Sequence, residues 1–178
     1  DVRPLRSDHI APGAGNSLPT EAQLARREAA TAERLTLDHL SMEAVPMLDP
    51  HDIVGFKRDG VQEGVYKKLR LGKYELQGSL DLHHKTIKEA RTALVQFIAE
   101  CEVRDIRCLL ILPGKGGRAT PRALLKSHVS AWLPQLPSVM AMHSAERRHG
   151  GSGALYVLLR KSERKKAENR ERHQKRLG

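Results

Sequence analysis

The chain contains 178 residues, of which 39% are hydrophobic and 29% are charged. This length and composition fit one globular domain with an extension, and they exclude two large domains. Lysine and arginine number 31 against 21 aspartates and glutamates, so the formal net charge is +10, a balance typical of proteins that bind polyanions. No apolar run approaches the roughly 18 residues of a membrane span, and the first residues lack the apolar segment of a signal peptide, so we expect no membrane segment.

Only two cysteines occur, Cys101 and Cys108, and both lie in otherwise apolar segments. Two cysteines cannot build a disulfide framework or a zinc site made of cysteines alone. We therefore expect a protein of the reducing cytoplasm.

Residues 1–55 are predicted to form a flexible or partly helical N-terminal extension. Residues 1–19 are rich in proline, glycine, serine and asparagine, which is typical of disorder. Residues 20–34 favour helix by composition, but Leu24 is the only large apolar side chain among them. We therefore expect a transient helix in a linker.

Residues 56–74 are predicted to form a helical segment that packs on the following domain. Asp59 is placed to cap a helix, and apolar residues recur at helical spacing from Val61 through Val65 to Leu69. This is the pattern of a short amphipathic helix.

The strands of the main domain, residues 75–161, are predicted from apolar patterning. One segment alternates between apolar and polar side chains, and three others are short apolar runs of strand length; these segments are residues 74–82, 108–112, 139–143 and 154–159.

Two helices are predicted between these strands. Thr86 and Glu89 form a capping box before an apolar stripe that ends near Cys101. Thr120 and Pro121 have the pattern of the cap and first position of the next helix.

The order of elements is β-α-β-α-β-β, which predicts an α/β fold with a mixed four-stranded sheet sandwiched by helices. Alternating strands and helices imply three parallel strands joined by right-handed crossovers, followed by an antiparallel strand. The C-terminal ends of the parallel strands meet at one edge, where the last strand begins. We therefore expect this edge to gather His83, residues 114–117, His143 and residues 149–153.

Three motifs lie at that edge in chain order. Leu80-Asp81-Leu82-His83 is followed by Gly114-Lys115-Gly116, and later by His149-Gly150-Gly151-Ser152-Gly153-Ala154. Together they resemble the Smr (small MutS-related) domain over residues 71–161. The preceding segment, residues 56–74, resembles the extension of stand-alone bacterial Smr proteins of the SmrA branch.

The resemblance implies a fold like the C-terminal domain of translation initiation factor three. It also implies nucleic-acid binding and, as in several members of the family, endonuclease activity on DNA or RNA. Two positions depart from the family pattern: His84 stands where glycine is usual, and Pro113 stands where histidine is usual. The alternative hypothesis is a noncatalytic module that binds nucleic acid or the ribosome.

Asp81 and His83 are the predicted catalytic pair. Two residues apart on a strand, their side chains leave the same face, so the carboxylate can orient the imidazole for acid–base work on a phosphodiester. The alternative is that His83 caps the following helix or satisfies a loop. His149 is the candidate for the second acid–base group, or else a polar residue of an exposed loop.

The glycine-rich loops are predicted to bind phosphate. Residues 114–117 can turn with positive φ and aim backbone N–H groups at an anion, although the spacing is not that of a Walker loop. The alternative is an ordinary strand-to-helix turn. The predicted phosphate or nucleic-acid contacts are Gly114, Lys115, Gly116, Gly117, Arg118, Arg148, Gly150 and Gly151.

The remaining histidines are not grouped as a metal site would require. His84 and His143 are available as ligands, but no cluster has the spacing of a known site. We predict no bound metal, and a divalent cation (Mg²⁺ or Mn²⁺) near Asp81 only if DNA is the substrate. His128 lies on an apolar stripe and is predicted to be a hydrogen-bonded core histidine.

Residues 162–178 are predicted to form a basic helical tail with almost no apolar side chain. The tail is either a solvated helix or an arm that binds a polyanion. The expected partner is nucleic acid, free or on the ribosome, and the protein is expected to be a monomer.

Overall fold

The computed structural model describes residues 20–40 and 42–177. Its contacts divide the chain into two units, residues 1–32 and 33–178. The described part of the first unit is Thr20 and the first part of helix α1 (Glu21–His39), where Leu24 is 44% exposed. The disorder predicted for residues 1–19 concerns a segment outside the described residues.

The described part of the second unit contains five strands and four further helices. The strands are β1 (Gly55–Lys57), β2 (Gly78–Asp81), β3 (Cys108–Leu112), β4 (Val139–Ser144) and β5 (Leu155–Leu159). The helices are α2 (Glu63–Arg70), α3 (Ile87–Val103), α4 (Leu124–Trp132) and α5 (Glu163–Leu177). Short 3₁₀ turns follow α4 (Leu133–Gln135) and occupy the β4–β5 connection (Arg147–His149 and Gly151–Gly153). No helix within the described ranges is both long and apolar enough to cross a membrane.

The strands form one sheet in the order β1-β4-β5-β3-β2. β2 and β3 are parallel, and β5 is antiparallel to both β3 and β4. The strands β2, β3 and β4 therefore run in one direction and β5 in the other, which confirms the predicted fold class. The sheet has one strand more than predicted, because the short β1 pairs antiparallel with β4.

The core lies on both faces of the sheet. The central strand β5 is buried along its whole length, and its residues alternate between the two faces. Leu155 and Val157 join the cluster that contains Trp132 of α4, whereas Tyr156 joins the cluster that contains Leu69 of α2. Each fully buried large apolar side chain stabilises the fold by about 1.5–3 kcal/mol.

The capping box of α3 is present as predicted. Thr86 Oγ1 accepts a hydrogen bond from the N–H of Glu89 (3.2 Å), and the Glu89 carboxylate accepts one from the N–H of Thr86 (2.9 Å). The start of α2 differs from the prediction, because this helix begins after Gln62 and not after Asp59.

The predicted start of α4 at Thr120 and Pro121 is wrong. The helix begins after Ala123, whose φ is 53°. The carbonyl of Gly116 accepts hydrogen bonds from the N–H groups of both Ala119 and Ala123. These bonds close residues 117–122 into a loop, so the helix cannot begin earlier.

Part of the predicted N-terminal extension packs on the domain. Leu40 is 1% exposed and belongs to the core cluster that includes α3 and α4. Lys126 of α4 is fully buried, and its Nζ donates hydrogen bonds to the carbonyls of Asp49, Pro50 and Asp52. Burial lowers the pKa of Lys126. This lysine therefore ties residues 49–52 to the domain, a contact that its charge alone did not predict.

Both thiols are expected to be unreactive in the folded protein. Burial raises the pKa of Cys101, and it raises the pKa of Cys108 to about 11. Because the thiolate is the reactive form, a disulfide reagent at about pH 8 should modify neither cysteine in the native state. In denaturant it should modify both. Rapid native labelling would contradict the buried positions.

Candidate functional site

The C-terminal ends of β2, β3 and β4 meet at one edge of the sheet. β2 ends at Asp81, whose partner on β3 is Leu112. The loop after β3 is joined to the β4–β5 loop by a hydrogen bond from the N–H of Gly114 to the carbonyl of Gly153 (2.9 Å). A Cβ on Gly153 would lie only 3.0 Å from the backbone nitrogen of Lys115. The two glycine-rich loops therefore pack together, as the sequence predicted.

Asp81 and His83 are in direct contact. Asp81 Oδ1 accepts a hydrogen bond from the backbone N–H of His83 (2.9 Å) and lies 2.5 Å from its Nδ1. These interactions, the backbone bond above all, hold the pKa of the Asp81 carboxyl below its ordinary value. β2 ends at Asp81, so His83 lies in the turn that follows, and the backbone bond across this turn sets the pair.

The contact with Asp81 fixes the tautomer of His83. A carboxylate is only an acceptor, so Nδ1 carries the proton and the lone pair of the neutral ring is on Nε2. A Cβ on Gly114 would lie 2.8 Å from this Nε2, and Gly114 has a φ of 79°. Glycine is therefore needed for the loop to approach the imidazole.

The structure does not use His83 as a helix cap. The cap of α3 is Thr86, whose hydroxyl and backbone make both bonds of the capping box. The side chain of His83 is 48% exposed and that of Asp81 is 66% exposed. The pair is thus accessible to a ligand, while the local fold is stabilised by other residues.

The loop after β3 contains backbone donors that the described residues of the fold do not use. Gly116 has a φ of 67°, and Lys115, Gly117 and Arg118 are exposed. Within the described part of the chain, the N–H groups of residues 115–117 donate to no carbonyl. Successive free N–H groups beside a lysine suit an anion such as phosphate.

A cavity of about 540 Å³ opens beside this loop. It is lined by residues 83–87 of the β2–α3 turn, by residues 113–119, and by Leu124 and Leu125 of α4. The imidazole of His83 and the exposed loop thus share one space, which has an apolar wall on the side of α4.

His149 lies outside the lining of this cavity. Its Nδ1 is 2.5 Å from the hydroxyl of Tyr156, and the two rings meet edge to face with centroids 5.5 Å apart. The adjacent Gly150 is close to Leu112, because a Cβ there would lie 3.5 Å from Leu112 Cδ2. His149 is therefore on the same edge as the Asp81–His83 pair, but in the described residues no hydrogen bond connects it to that pair.

Arg148, a predicted phosphate contact, is engaged with the protein. Its Nε lies 3.0 Å from Glu146 Oε2, and its Nη2 donates to the carbonyl of Gly72 (3.1 Å). The bond to Gly72 attaches the segment after α2 to the β4–β5 loop. Gly151, three residues further along the loop, has a φ of 60°, and a Cβ added there would have nothing within 4 Å. That part of the loop is therefore open to a ligand.

The other histidines have different surroundings. His143 Nδ1 contacts the carbonyl of Ser144 (2.7 Å), and His84 is exposed with a φ of 62°. His128 is 5% exposed and bonded to the carbonyl of Leu124 (3.0 Å), as predicted for a core histidine. Among residues 20–40 and 42–177, no group of three or more His, Cys, Asp or Glu side chains could hold a metal ion.

Two comparisons identify the family. A family model described as Smr domain matches residues 80–160. The probable DNA endonuclease SmrA of Escherichia coli (strain K12) is 40% identical over 136 residues, which cover 76% of this chain and 71% of that protein. The chain belongs to the Smr family. The resemblance carried by the three motifs is thereby confirmed.

Other Smr proteins agree with this assignment. The ribosome rescue factor SmrB of Vibrio campbellii is 36% identical over 159 residues, which cover 89% of this chain and 85% of that protein. The crystal structure of YdaL, a stand-alone small MutS-related protein from Escherichia coli, superposes with a TM-score of 0.62 at 36% identity. It covers 70% of this chain and 95% of YdaL. The structural match confirms the Smr fold of the sheet and its helices.

Proposed function

We propose that this Smr protein is an endonuclease that cleaves phosphodiester bonds in nucleic acid, with His83 as its general acid–base group. The observation that carries the proposal is the contact of Asp81 with His83 beside the open loop of residues 115–117. An oriented imidazole next to an anion-binding loop is what phosphodiester cleavage requires.

RNA is the substrate that the described side chains could cleave by acid–base catalysis, because RNA carries its own nucleophile, the 2′-hydroxyl. The lone pair on Nε2 of His83 takes the proton of the 2′-hydroxyl, and the resulting oxyanion attacks the adjacent phosphorus. The bond from phosphorus to the 5′-oxygen breaks, and that oxygen receives a proton from an acid. The products are a 2′,3′-cyclic phosphate and a 5′-hydroxyl.

The loop after β3 would hold the scissile phosphate. The free N–H groups of residues 115–117 and the ammonium of Lys115 offer positive partial and full charges to the phosphate oxygens. Arg118, also exposed, would contact a neighbouring phosphate.

His149 is the proposed acid. The hydroxyl of Tyr156 accepts the N–H of Glu146 (3.3 Å) and lies 2.5 Å from Nδ1 of His149. As the acid, His149 would be the imidazolium, with Nδ1–H donating to the Tyr156 hydroxyl and Nε2–H facing the leaving 5′-oxygen. His83 would then be the neutral base and His149 the protonated acid.

DNA has no 2′-hydroxyl, so its cleavage needs an activated water. Asp81 is the carboxylate that would contact a divalent cation, but its Oδ1 is bonded to His83, and the described residues offer no cluster of three ligands around it. The relative named probable DNA endonuclease makes DNA the substrate to test beside RNA.

A comparative cleavage assay tests the proposal. Single-stranded RNA, duplex DNA and supercoiled plasmid are incubated with the wild-type protein, with and without chelator, beside a His83→Ala preparation that reveals contaminating nuclease. We expect RNA cleavage in the presence of chelator, with cyclic-phosphate ends. Cleavage of DNA alone, abolished by chelator and leaving 5′-phosphates, would overturn the histidine-pair mechanism.

The second candidate is a noncatalytic module that binds nucleic acid or the ribosome. His84 and Pro113, which depart from the family pattern, both line the cavity beside His83, and SmrB relatives are named ribosome rescue factors. Tight binding without turnover of any of the three substrates would support this candidate and refute the endonuclease.

A further inference from the structure

A second cluster of cations lies at the edge of the sheet opposite to His83. β5 is antiparallel to β3, so its last residue, Leu159, is at the end where β3 begins. A cleft of about 390 Å³ lies there between the start of α2 and the start of α5. We call it the basic cleft, because four cationic side chains line it: Arg107, Arg160, Lys161 and Lys166.

The basic cleft has an apolar floor and no acidic lining. Val61, Val65, Met140 and Leu158 form the apolar part, and no Asp or Glu is among the described residues of the lining. The salt bridge of Lys166 is with Glu163, which lies outside that lining (2.8 Å). The cleft therefore holds an excess of positive charge.

Two cations of the basic cleft, Arg107 and Lys161, lie close enough to affect each other. Burial, and after it the charge of Arg107, lowers the pKa of Lys161. The Nε of Arg107 is buried and has no hydrogen-bond partner in the described residues. A buried donor without a partner costs free energy, and so does a like charge beside it. An anion in the cleft would offset the repulsion between the like charges.

Hydrogen bonds fix the backbone at two of the cationic residues of the cleft. The N–H of Leu159 donates to the carbonyl of Arg107 (2.7 Å), and the N–H of Arg160 donates to the carbonyl of Ser138 (2.8 Å). At the first turn of α5, Arg164 pairs with Asp105 (2.6 Å). The cleft is therefore built on the ends of the sheet and on the first turn of α5, which the Arg164–Asp105 pair attaches to the domain.

Positive charge continues from the basic cleft to the catalytic edge. α2 begins at the cleft and ends beside Gly72, whose carbonyl is bonded to Arg148 of the β4–β5 loop. The exposed face of α2 carries Lys67, Lys68 and Arg70, and Lys73 follows it. α2 thus carries three exposed cations between the two edges, while Glu63 at its cleft end is paired with Lys57.

We propose that the basic cleft binds the phosphate backbone of the nucleic acid whose cleavage is proposed for the His83 edge, and that the strand follows α2 between the two edges. The five residues of β5 span about 17 Å. That length corresponds to about five base pairs at 3.4 Å each. The cleft therefore contacts the substrate several nucleotides from the scissile bond.

The proposal rests on the proposed function only for the identity of the nucleic acid, so binding and cleavage are measured separately. The double variant Arg160→Gln with Lys161→Gln is compared with a charge-matched control, Arg27→Gln with Lys88→Gln, whose residues are exposed on α1 and α3. All binding is measured in full-length protein that also carries His83→Ala, on 20-nucleotide RNA and 20-base-pair DNA over a range of salt concentrations.

We expect the cleft variant to weaken binding and to reduce the slope of log affinity against log salt by roughly 0.7–0.9 for each phosphate that the variant no longer neutralises. The control should keep the parental slope. Equal slopes for cleft and control variants would overturn the proposal. Thermal unfolding of both variants verifies that they are folded.

Two further measurements separate the outcomes. With active protein, the cleft variant should cleave a trinucleotide at the wild-type rate but should show a raised KM on the 20-mer. If no protein cleaves, the function proposed for His83 fails while the binding result still stands.

Inorganic phosphate and a mononucleotide are titrated as separate probes. If either binds the cleft as tightly as the 20-mer does, the cleft is a small-anion site and the proposal is overturned.

Discussion

Replacing Asp81 with Asn is expected to lower the rate of phosphodiester cleavage by about 10²- to 10⁴-fold. The carboxylate now accepts from both the N–H and the Nδ1 of His83. An asparagine can rotate its NH₂ group toward Nδ1, which favours the tautomer with the proton on Nε2. Nε2 of His83, the ring nitrogen near Gly114, would then carry a proton and could not take the proton of the 2′-hydroxyl.

The fold should tolerate this substitution, because the Asp81 side chain is 66% exposed. A matched acid-to-amide control is Glu75→Gln, since Glu75 is exposed and just ahead of β2. Single-turnover cleavage and thermal unfolding are measured for wild type, both variants and His83→Ala. A wild-type rate for Asp81→Asn would remove Asp81 from the mechanism, and a slow Glu75→Gln would show that the effect is nonspecific.

The pH dependence follows from the direction of the Asp81 shift. Because the pKa of this carboxyl is lowered, Asp81 stays ionised at neutral pH and loses its charge only at a pH below the ordinary carboxyl range. Titration of Asp81 should therefore cause no change in the wild-type cleavage rate between about pH 6 and about pH 9. A change of the wild-type rate in this interval would belong to another group.

The sheet could be predicted from the sequence because the apolar pattern of its strands agrees with their burial in the fold. The apolar run of β5 fits a strand buried on both faces, and the capping box fixes the start of α3. β1 was missed because its three residues, Gly55–Lys57, have no pattern of their own and are ordered by pairing with β4. The start of α4 was misplaced because the carbonyl of Gly116 holds residues 117–122 in a loop, and the pattern of a cap followed by proline does not reveal this loop.

In the candidate site, too, contacts between residues close in sequence could be predicted and contacts made through packing could not. The contact of Asp81 with His83 could be predicted because it is local, two residues apart in the chain. The partners of Arg148 and His149 could not, because Gly72 and Tyr156 reach them through packing of α2 and β5. Nothing in the sequence around Lys126 indicates that three backbone carbonyls surround its ammonium. Spacing alone contains no information about such partners.

Replacing Gly114 with Ala is expected to lower cleavage by about 10²-fold. The new Cβ would lie 2.8 Å from both Cδ2 and Nε2 of His83, so the ring must move away from the loop. A left-handed φ of 79° also strains an alanine by about 1–2 kcal/mol, partly offset by the lower entropy of the unfolded chain. Stability should therefore fall less than activity does.

Gly117→Ala is the matched control for this substitution. Gly117 is in the same loop, but nothing lies within 4 Å of its virtual Cβ and its φ is not positive. The substitution keeps the backbone N–H that the phosphate would contact, so near wild-type cleavage and stability are expected. Equal reductions for both variants would mean that the loop needs flexibility. A reduction confined to Gly114→Ala, measured at equal phosphate affinity, would mean that the close packing of His83 on this glycine sets the position of the reacting imidazole.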